Sequence, residues 1–327
     1  MKRIALIATG CAALAVVGPA GLPDVVKPAP VSAPAVPALE WVLPAVTAPR
    51  LQRRTFESAT VKTNVSYFIY TPEIYDRDQL RHFPVIYWLH GSGGGLSGMP
   101  PLVAHFDSAI QAKKIPPLLV VFVNGLKNGM WCDWKSGKVP LETVIMKELL
   151  PHIDANYRTV AAREGRLIEG FSMGGYGAAR LGFKYPMVFG AVSMLAGGPL
   201  QLDFRETPRA GPREREGILK AVFGGDLEYF KAQSPWVIAE QNADKLRIGL
   251  PVRQVIGDRD ETLGFNRAFH EHLVKLAIPH TFTVLPDIGH KPMAVFDSLG
   301  ETNWEFYRTV FSSLNTPAAS AKPAPLP

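Results

Sequence analysis

A serine hydroxyl becomes a useful nucleophile only when a base takes its proton and an acid orients that base. Ser172 stands in a setting that suits such chemistry. Gly170-Phe171-Ser172-Met173-Gly174-Gly175 follows Arg166 to Glu169, which reads as a strand end, and precedes Tyr176 to Leu181, which reads as a helix start. A G-x-S-x-G segment at a strand-to-helix turn forces the serine into a strained backbone conformation and exposes its hydroxyl at the carboxyl edge of a sheet. Small residues on either side let strand and helix pass closely. The helix N terminus adds free N–H groups and positive partial charge where an oxyanion would form.

The partners follow in chain order. After the apolar run Val252 to Ile256 comes Gly257-Asp258-Arg259-Asp260-Glu261-Thr262, and after Thr281 to Leu285 comes Pro286-Asp287-Ile288-Gly289-His290-Lys291. His290 is the candidate base. Asp260 and Asp258 compete as its acid. Asp260, three residues after the glycine, is favoured, which leaves Asp258 to cap the turn. Asp287 lies too near His290 in sequence and is expected to cap its own loop.

An oxyanion hole needs two backbone donors. One is expected from Met173. The other is expected from His90-Gly91-Ser92-Gly93-Gly94-Gly95, which follows the run Val85 to Leu89 and whose glycines let the backbone approach a ligand. Ser92 is the first choice and Gly93 the next, with Gly93 also a substrate contact. The loop lacks the Lys-Ser/Thr ending of a phosphate loop. Met130-Trp131-Cys132-Asp133-Trp134 falls on another sheet-edge loop. Trp131 and Trp134 there could meet an acyl or aryl group, or simply anchor the loop.

These residues need a scaffold that brings strand ends together. Val85 to Leu89, Leu118 to Val123, Arg166 to Phe171, Ala191 to Leu195, Val252 to Ile256 and Thr281 to Leu285 are short apolar runs. Runs apolar on both faces suit a parallel sheet between helix layers. Val61 to Tyr70 reads as an earlier antiparallel strand. Helical spacing recurs over Leu141 to Ile153 and Phe265 to Leu276, so the pattern is that of a doubly wound α/β domain. Residues 197–249 hold no strand signal and carry Arg205, Arg209, Arg213 and Arg215 among prolines and glycines. They read as a helical cap over the active edge, with the arginines on a solvated face.

Composition narrows the classes. The 327 residues are 47% hydrophobic and 20% charged, ordinary for a globular chain, and the net charge is +6. No Lys/Arg run interleaves with aromatics, so nucleic acid is not expected as a partner. His270-Glu271-His272 has the wrong spacing for a helical zinc pair; no metal and no cofactor is expected. Lys2 and Arg3, then uncharged Ile4 to Val17, then Gly18-Pro19-Ala20, read as a signal peptide over 1–20. The run is too short for a membrane span. Thr9-Gly10-Cys11 loosely resembles a lipoprotein box, so a lipid anchor at Cys11 is the alternative to a secreted or periplasmic protein. Cys132 would then be alone in the mature chain and reads as a small apolar filler. A Pro/Ala-rich linker is expected over 21–50, the catalytic domain over 51–315, and a loose tail over 316–327.

Leu89 to Gly94, Glu148-Leu149-Leu150-Pro151, Tyr157-Arg158, Gly170 to Gly175, Gly257 to Asp260 and Gly289-His290 together resemble the putative-esterase family of α/β-hydrolases. Feruloyl and acetylxylan esterases, the esterase D group, enterochelin esterases and mycolyltransferases belong to it. The resemblance runs from about Thr60 to Phe311. It implies the α/β-hydrolase fold, a Ser172–Asp260–His290 triad and oxyanion donors at Ser92 and Met173. An exported serine esterase is the expectation, acting on a small or polysaccharide-linked ester such as a feruloyl or acetyl ester. An acyltransferase with a sugar acceptor and a binding protein on the same fold are the alternatives. A prolyl-oligopeptidase type of peptidase has no room for its propeller. Glu169 departs from the family pattern. If buried it needs a partner, for which Arg166 or a cap arginine is the candidate.

Overall fold

The computed structural model describes residues 39–315. The apolar runs become strands of one eight-stranded sheet: β1 (Leu51–Ser58), β2 (Thr63–Tyr70), β3 (Val85–Leu89), β4 (Leu119–Val123), β5 (Arg166–Phe171), β6 (Ala191–Leu195), β7 (Val252–Gly257) and β8 (Thr281–Leu285). Their spatial order is β1-β2-β4-β3-β5-β6-β7-β8. β1 and β2 pair antiparallel, as do β2 and β4, and every later pairing is parallel. The carboxyl ends of β3, β5, β6, β7 and β8 therefore share one edge. This is the α/β-hydrolase architecture.

Eleven helices cover the sheet among the described residues: α1 (Ile74–Arg77), α2 (Met99–Gln111), α3 (Leu141–Thr143), α4 (Leu150–Asn156), α5 (Met173–Lys184), α6 (Pro212–Phe223), α7 (Leu227–Ala232), α8 (Pro235–Arg247), α9 (Leu263–Lys275), α10 (Pro292–Leu299) and α11 (Glu301–Val310). A wider turn over Val144–Leu149 joins α3 to α4. Alternate side chains of β3 feed two apolar layers. Tyr87 and Leu89 meet Met173, Tyr176 and Ile145 on one face; Ile86 and Trp88 meet Phe106, Phe296 and Tyr307 on the other. β3 to β6 are buried throughout, as continuous apolar runs require.

One boundary and one strand differ from expectation. Packed chain is present ahead of residue 51: the Leu43 amide donates to Ser66 Oγ at 2.8 Å, the Ser66 amide to the Trp41 carbonyl at 2.8 Å, and Asn124 Nδ2 to the Trp41 carbonyl at 2.9 Å. The later part of the expected linker is thus tied to β2 and to the loop after β4. β1 carries no clear sequence signal, because most of its side chains are exposed and three are charged. Charge is a common way to blunt an edge strand. The expected signal peptide, the Cys11 anchor and the 316–327 tail lie outside the described residues. Between β6 and β7 the chain forms α6, α7 and α8, the helical insertion expected over 197–249.

Glu169 has a partner that reading along the sequence did not find. Register across β5, β6 and β7 aligns Glu169, Ser193 and Arg253 in one row. Arg253 Nη2 lies 2.7 Å from Glu169 Oε1, Ser193 Oγ donates to the same oxygen at 2.6 Å, and Tyr307 of α11 donates to Oε2 at 2.9 Å. Arg166 instead pairs with Asp154 at 2.6 Å. The carboxylate is wholly buried, paired with one guanidinium and hydrogen-bonded by two hydroxyls. Removing one partner of such a pair leaves an uncompensated charge. Arg253→Met should therefore destabilise the fold by about 3–5 kcal/mol. Urea or thermal unfolding would measure it, and a loss below about 1 kcal/mol would show that the row contributes little.

Candidate active site

The site is built from the loops at the carboxyl edge. β5 ends and α5 begins within one residue, and Ser172 occupies the turn with φ 59° and ψ −121°. Its amide donates to the Leu195 carbonyl at 3.0 Å, and its carbonyl accepts from Tyr176 and Gly198 amides, each at 3.0 Å. Those bonds fix a conformation unfavourable for a residue with a Cβ. The crossing is tight. A Cβ on Gly174 would sit 1.8 Å from the Leu89 carbonyl oxygen, so only glycine lets α5 approach β3 this closely.

His290 and Asp260 arrive from β8 and β7. His290 Nδ1 lies 2.5 Å from Asp260 Oδ2. An ionised carboxylate only accepts, so Nδ1 carries a proton, which in the neutral ring leaves the lone pair on Nε2. Asp260 Oδ1 accepts from the Thr262 amide at 2.9 Å and the Thr262 hydroxyl at 2.7 Å. Burial alone would push the Asp260 carboxyl up, but donation from His290 and Thr262 outweighs it and holds the pKa below the ordinary value. The imidazole rests on the Phe171 ring, centroids 4.6 Å apart. His290 Nε2 is buried and has no hydrogen-bond partner. His290 lines the same cavity as Ser172, a space of about 280 Å³.

The other two acids go elsewhere. Asp258 is part-exposed, with Arg259 Nε 3.8 Å away, and Asp287 accepts from Arg259 at 3.0 Å. On the opposite side, Gly91 and Ser92 line the cavity, and the Ser92 hydroxyl reaches the Met173 thioether at 3.8 Å. The Gly93 amide is not available as a donor, because it already donates to the Lys127 carbonyl at 2.8 Å. Gly93 also does not line the cavity. This leaves Ser92 as the donor candidate of that loop.

His90 was not singled out by sequence reading, although it opens the glycine-rich loop. Its Nδ1 lies 2.7 Å from the Gly91 carbonyl, and its Nε2 accepts from the Gly125 amide at 3.1 Å. Burial lowers its pKa to about 4, so the ring is neutral near pH 7 and each nitrogen keeps one role. Cys132 is also buried, and burial lifts its thiol to about 12.

The tryptophans depart from expectation. Trp131 is fully buried and Trp134 packs against the core; neither lines the cavity. Met130 and Trp131 both take positive φ, 54° and 55°, which turns the chain inward. Met130 alone of that loop reaches the cavity. The far wall comes from the insertion: Phe204, Thr207, Arg209, Glu214 and Ile218. Arg209 is paired with Glu261, beside Asp260. Phe223 packs with Phe204 and Phe230 inside the insertion, and Trp236 packs on Phe269.

A family described as Putative esterase matches residues 58–305. The chain belongs to this esterase family. Its sequence is 30% identical over 206 residues to an endo-1,4-beta-xylanase/feruloyl esterase of Xylanibacter ruminicola, covering 56% of this chain and 28% of that protein. It is 32% identical over 160 residues to Esterase Rv1288 of Mycobacterium tuberculosis, covering 48% of this chain and 34% of that one. The chain thus spans about a third or less of the length of these curated relatives. Among solved structures, a ferulic acid esterase aligns with TM-score 0.67 and 22% identity, over 80% of this chain and 98% of that one. The ferulic acid esterase AmCE1/Fae1A of Anaeromyces mucronatus, in complex with ferulic acid, aligns with TM-score 0.60 and 19% identity, over 84% and 95% of the two chains. At these identities the structural likeness speaks for the fold.

The geometry separates the competing acids by experiment. Asp260→Asn removes the charge that orients His290 and should lower kcat for an activated ester by roughly 10²- to 10⁴-fold. Asp258→Asn should leave kcat within about threefold of wild type, since exposed surface changes are usually mild. The opposite ranking, with both proteins folded, would assign the orienting role to Asp258.

Proposed function

We propose that the protein is an exported serine esterase that hydrolyses carboxylic esters through an acyl-enzyme. The observation that carries this reading is the unpartnered Nε2 of His290, a ring that Asp260 orients and that lines the same cavity as Ser172. A base with a free lone pair beside a strained, accessible serine is what acyl transfer needs.

In this reading Ser172 Oγ attacks the ester carbonyl while its proton passes to His290 Nε2. The imidazolium that forms is stabilised by Asp260. The tetrahedral oxyanion is held by the amides of Met173 and Ser92, the first at the N terminus of α5. Collapse releases the alcohol, which takes the proton from Nε2. Water then enters, gives its proton to Nε2 and attacks the acyl carbon. A second collapse returns the proton to Ser172 and releases the acid.

The cavity and the relatives support a reading of the substrate class. Apolar Met130, Phe204 and Ile218 suit an acyl or aryl group, and Thr207, Arg209 and Glu214 suit a hydroxyl-rich alcohol. At about 280 Å³ the cavity lies at the small end of ligand sites and fits a short acyl chain or a single ring. Relatives named feruloyl esterase favour feruloyl or acetyl esters carried on polysaccharide. Export rests on the charged and apolar N-terminal pattern of residues 1–20. Among the described residues no helix is long and apolar enough to cross a membrane.

The test is turnover of p-nitrophenyl acetate and methyl ferulate by the mature chain and by Ser172→Ala. Wild type should hydrolyse at least one of them. The variant should fold normally and lose about 10⁴- to 10⁶-fold in kcat. Residual activity within about tenfold of wild type would remove Ser172 from the reaction.

A further inference from the structure

Trp131 misses the cavity, yet it connects the helix behind Ser172 to the loop that faces it. Met130 and Trp131 form consecutive left-handed residues, and neither is glycine or asparagine. Such a pair persists only where the surroundings hold it. Here the grip is ionic and buried. Arg180 of α5, wholly buried, donates from Nη1 to the Trp131 carbonyl at 2.9 Å and pairs through Nη2 with Glu142 Oε2 at 2.5 Å. Glu142 also binds Lys184 and Tyr185, each at 2.6 Å. Burial would raise the Glu142 carboxyl, but Arg180 and Lys184 bring it down to about 2, so the ion pair persists at neutral pH. Arg180 further donates to Gln233 at the junction of α7 and α8.

The indole itself is wedged between bare backbones. A Cβ on Gly177 would meet Trp131 Cδ1 at 2.3 Å, and one on Gly125 would meet Cη2 at 2.3 Å. The ring then meets His90, centroids 4.9 Å apart. His90 donates from Nδ1 to the Gly91 carbonyl. That carbonyl and the Ser92 N–H belong to one planar trans peptide, so they point in opposite directions. Fixing the first aims the second.

We infer that Trp131 is a positioning residue for the oxyanion hole: gripped by Arg180 and seated on Gly177, it holds His90, which sets the direction of the Ser92 N–H. The inference rests on the reading of Ser172 as nucleophile and Ser92 as a donor. Its consequence is that one rigid element registers both donors. Met173 is the first residue of α5 and presents its own amide. Gly177 and Arg180, one turn apart on the same helix, place the other amide through Trp131 and His90. A tryptophan that merely filled the core would leave the direction of that peptide to other contacts.

Two variants test this. Arg180→Lys keeps the charge that Glu142 requires but lacks the fork that reaches Trp131 and Gln233 together. Gly177→Ala drives a methyl into the indole and leaves every charge in place. For each, kcat is expressed per active site, counted by stoichiometric fluorophosphonate labelling, so that a misfolded fraction drops out. The expected result is a fall in per-site kcat of about tenfold or more with KM within about twofold, since the donor acts on the transition state. Affinity for an arylboronic acid, whose tetrahedral adduct uses the same donors, should fall in parallel. Per-site kcat within about threefold of wild type in both variants would overturn the inference, as would a loss carried only by KM, by the number of labelled sites or by Tm. Turnover that survives Ser172→Ala would instead fault the nucleophile and remove both readings.

Discussion

The tight crossing of β5 and α5 is the constraint on which the site depends. A serine can stand proud of the sheet edge only if the chain reverses from strand to helix in one residue. That reversal needs φ 59° at Ser172 and a helix close enough that Gly174 touches the Leu89 carbonyl. Local propensity does not favour this geometry. It survives because the strands on either side hold it: Leu195 of β6 accepts from the serine amide, and β3 packs beneath the first turn of α5. The parallel sheet then fixes everything else. With β3, β5, β7 and β8 ending at one edge, the glycine-rich loop, the serine, the aspartate and the histidine are neighbours despite wide separation in sequence.

Two buried ionic groups fasten this arrangement, one on each face of the sheet. Glu169, Ser193, Arg253 and Tyr307 bind three strands to α11 directly below the serine turn. Glu142 and Arg180 bind α5 to α3 and to the loop carrying Trp131. Buried charges are poor sources of net stability, because desolvation offsets their attraction. Their better use is specificity: each charge has one arrangement in which it is fully paired, so alternative packings of the same apolar residues are penalised. One includes Glu169 of β5 and the other Arg180 of α5, the elements on either side of the strained Ser172 turn, and neither group touches the cavity.

The sequence made the candidate catalytic groups and most strands legible for different reasons. Ser172, Asp260 and His290 each follow an apolar run, and strand ends are where a parallel sheet places functional side chains. β3, β5 and β6 match the apolar runs at both ends and are buried throughout, since β-rich segments buried on both faces leave little ambiguity; β8 also matches, although it is only half-buried. β2 starts later than the run suggested, after a turn in which Lys62 takes φ 55°. What stayed hidden depends on register or on unusual backbone. Arg253 becomes the partner of Glu169 only when three strands are aligned. Trp131 looked like a cavity residue because its loop follows a strand end; two successive positive φ values at residues without the usual glycine or asparagine turned it into the core. The side chains of the insertion that form the cavity wall carry no motif at all.

The central claim is that Ser172 becomes acylated. The direct measurement is an acid quench during turnover of p-nitrophenyl acetate, followed by proteolysis and mass analysis of the peptides. The account predicts an acetyl group on the peptide containing Ser172, formed in the first turnover and lost on dilution into fresh buffer. An acetyl group on another residue, or catalytic turnover with no labelled peptide at any time, would contradict it.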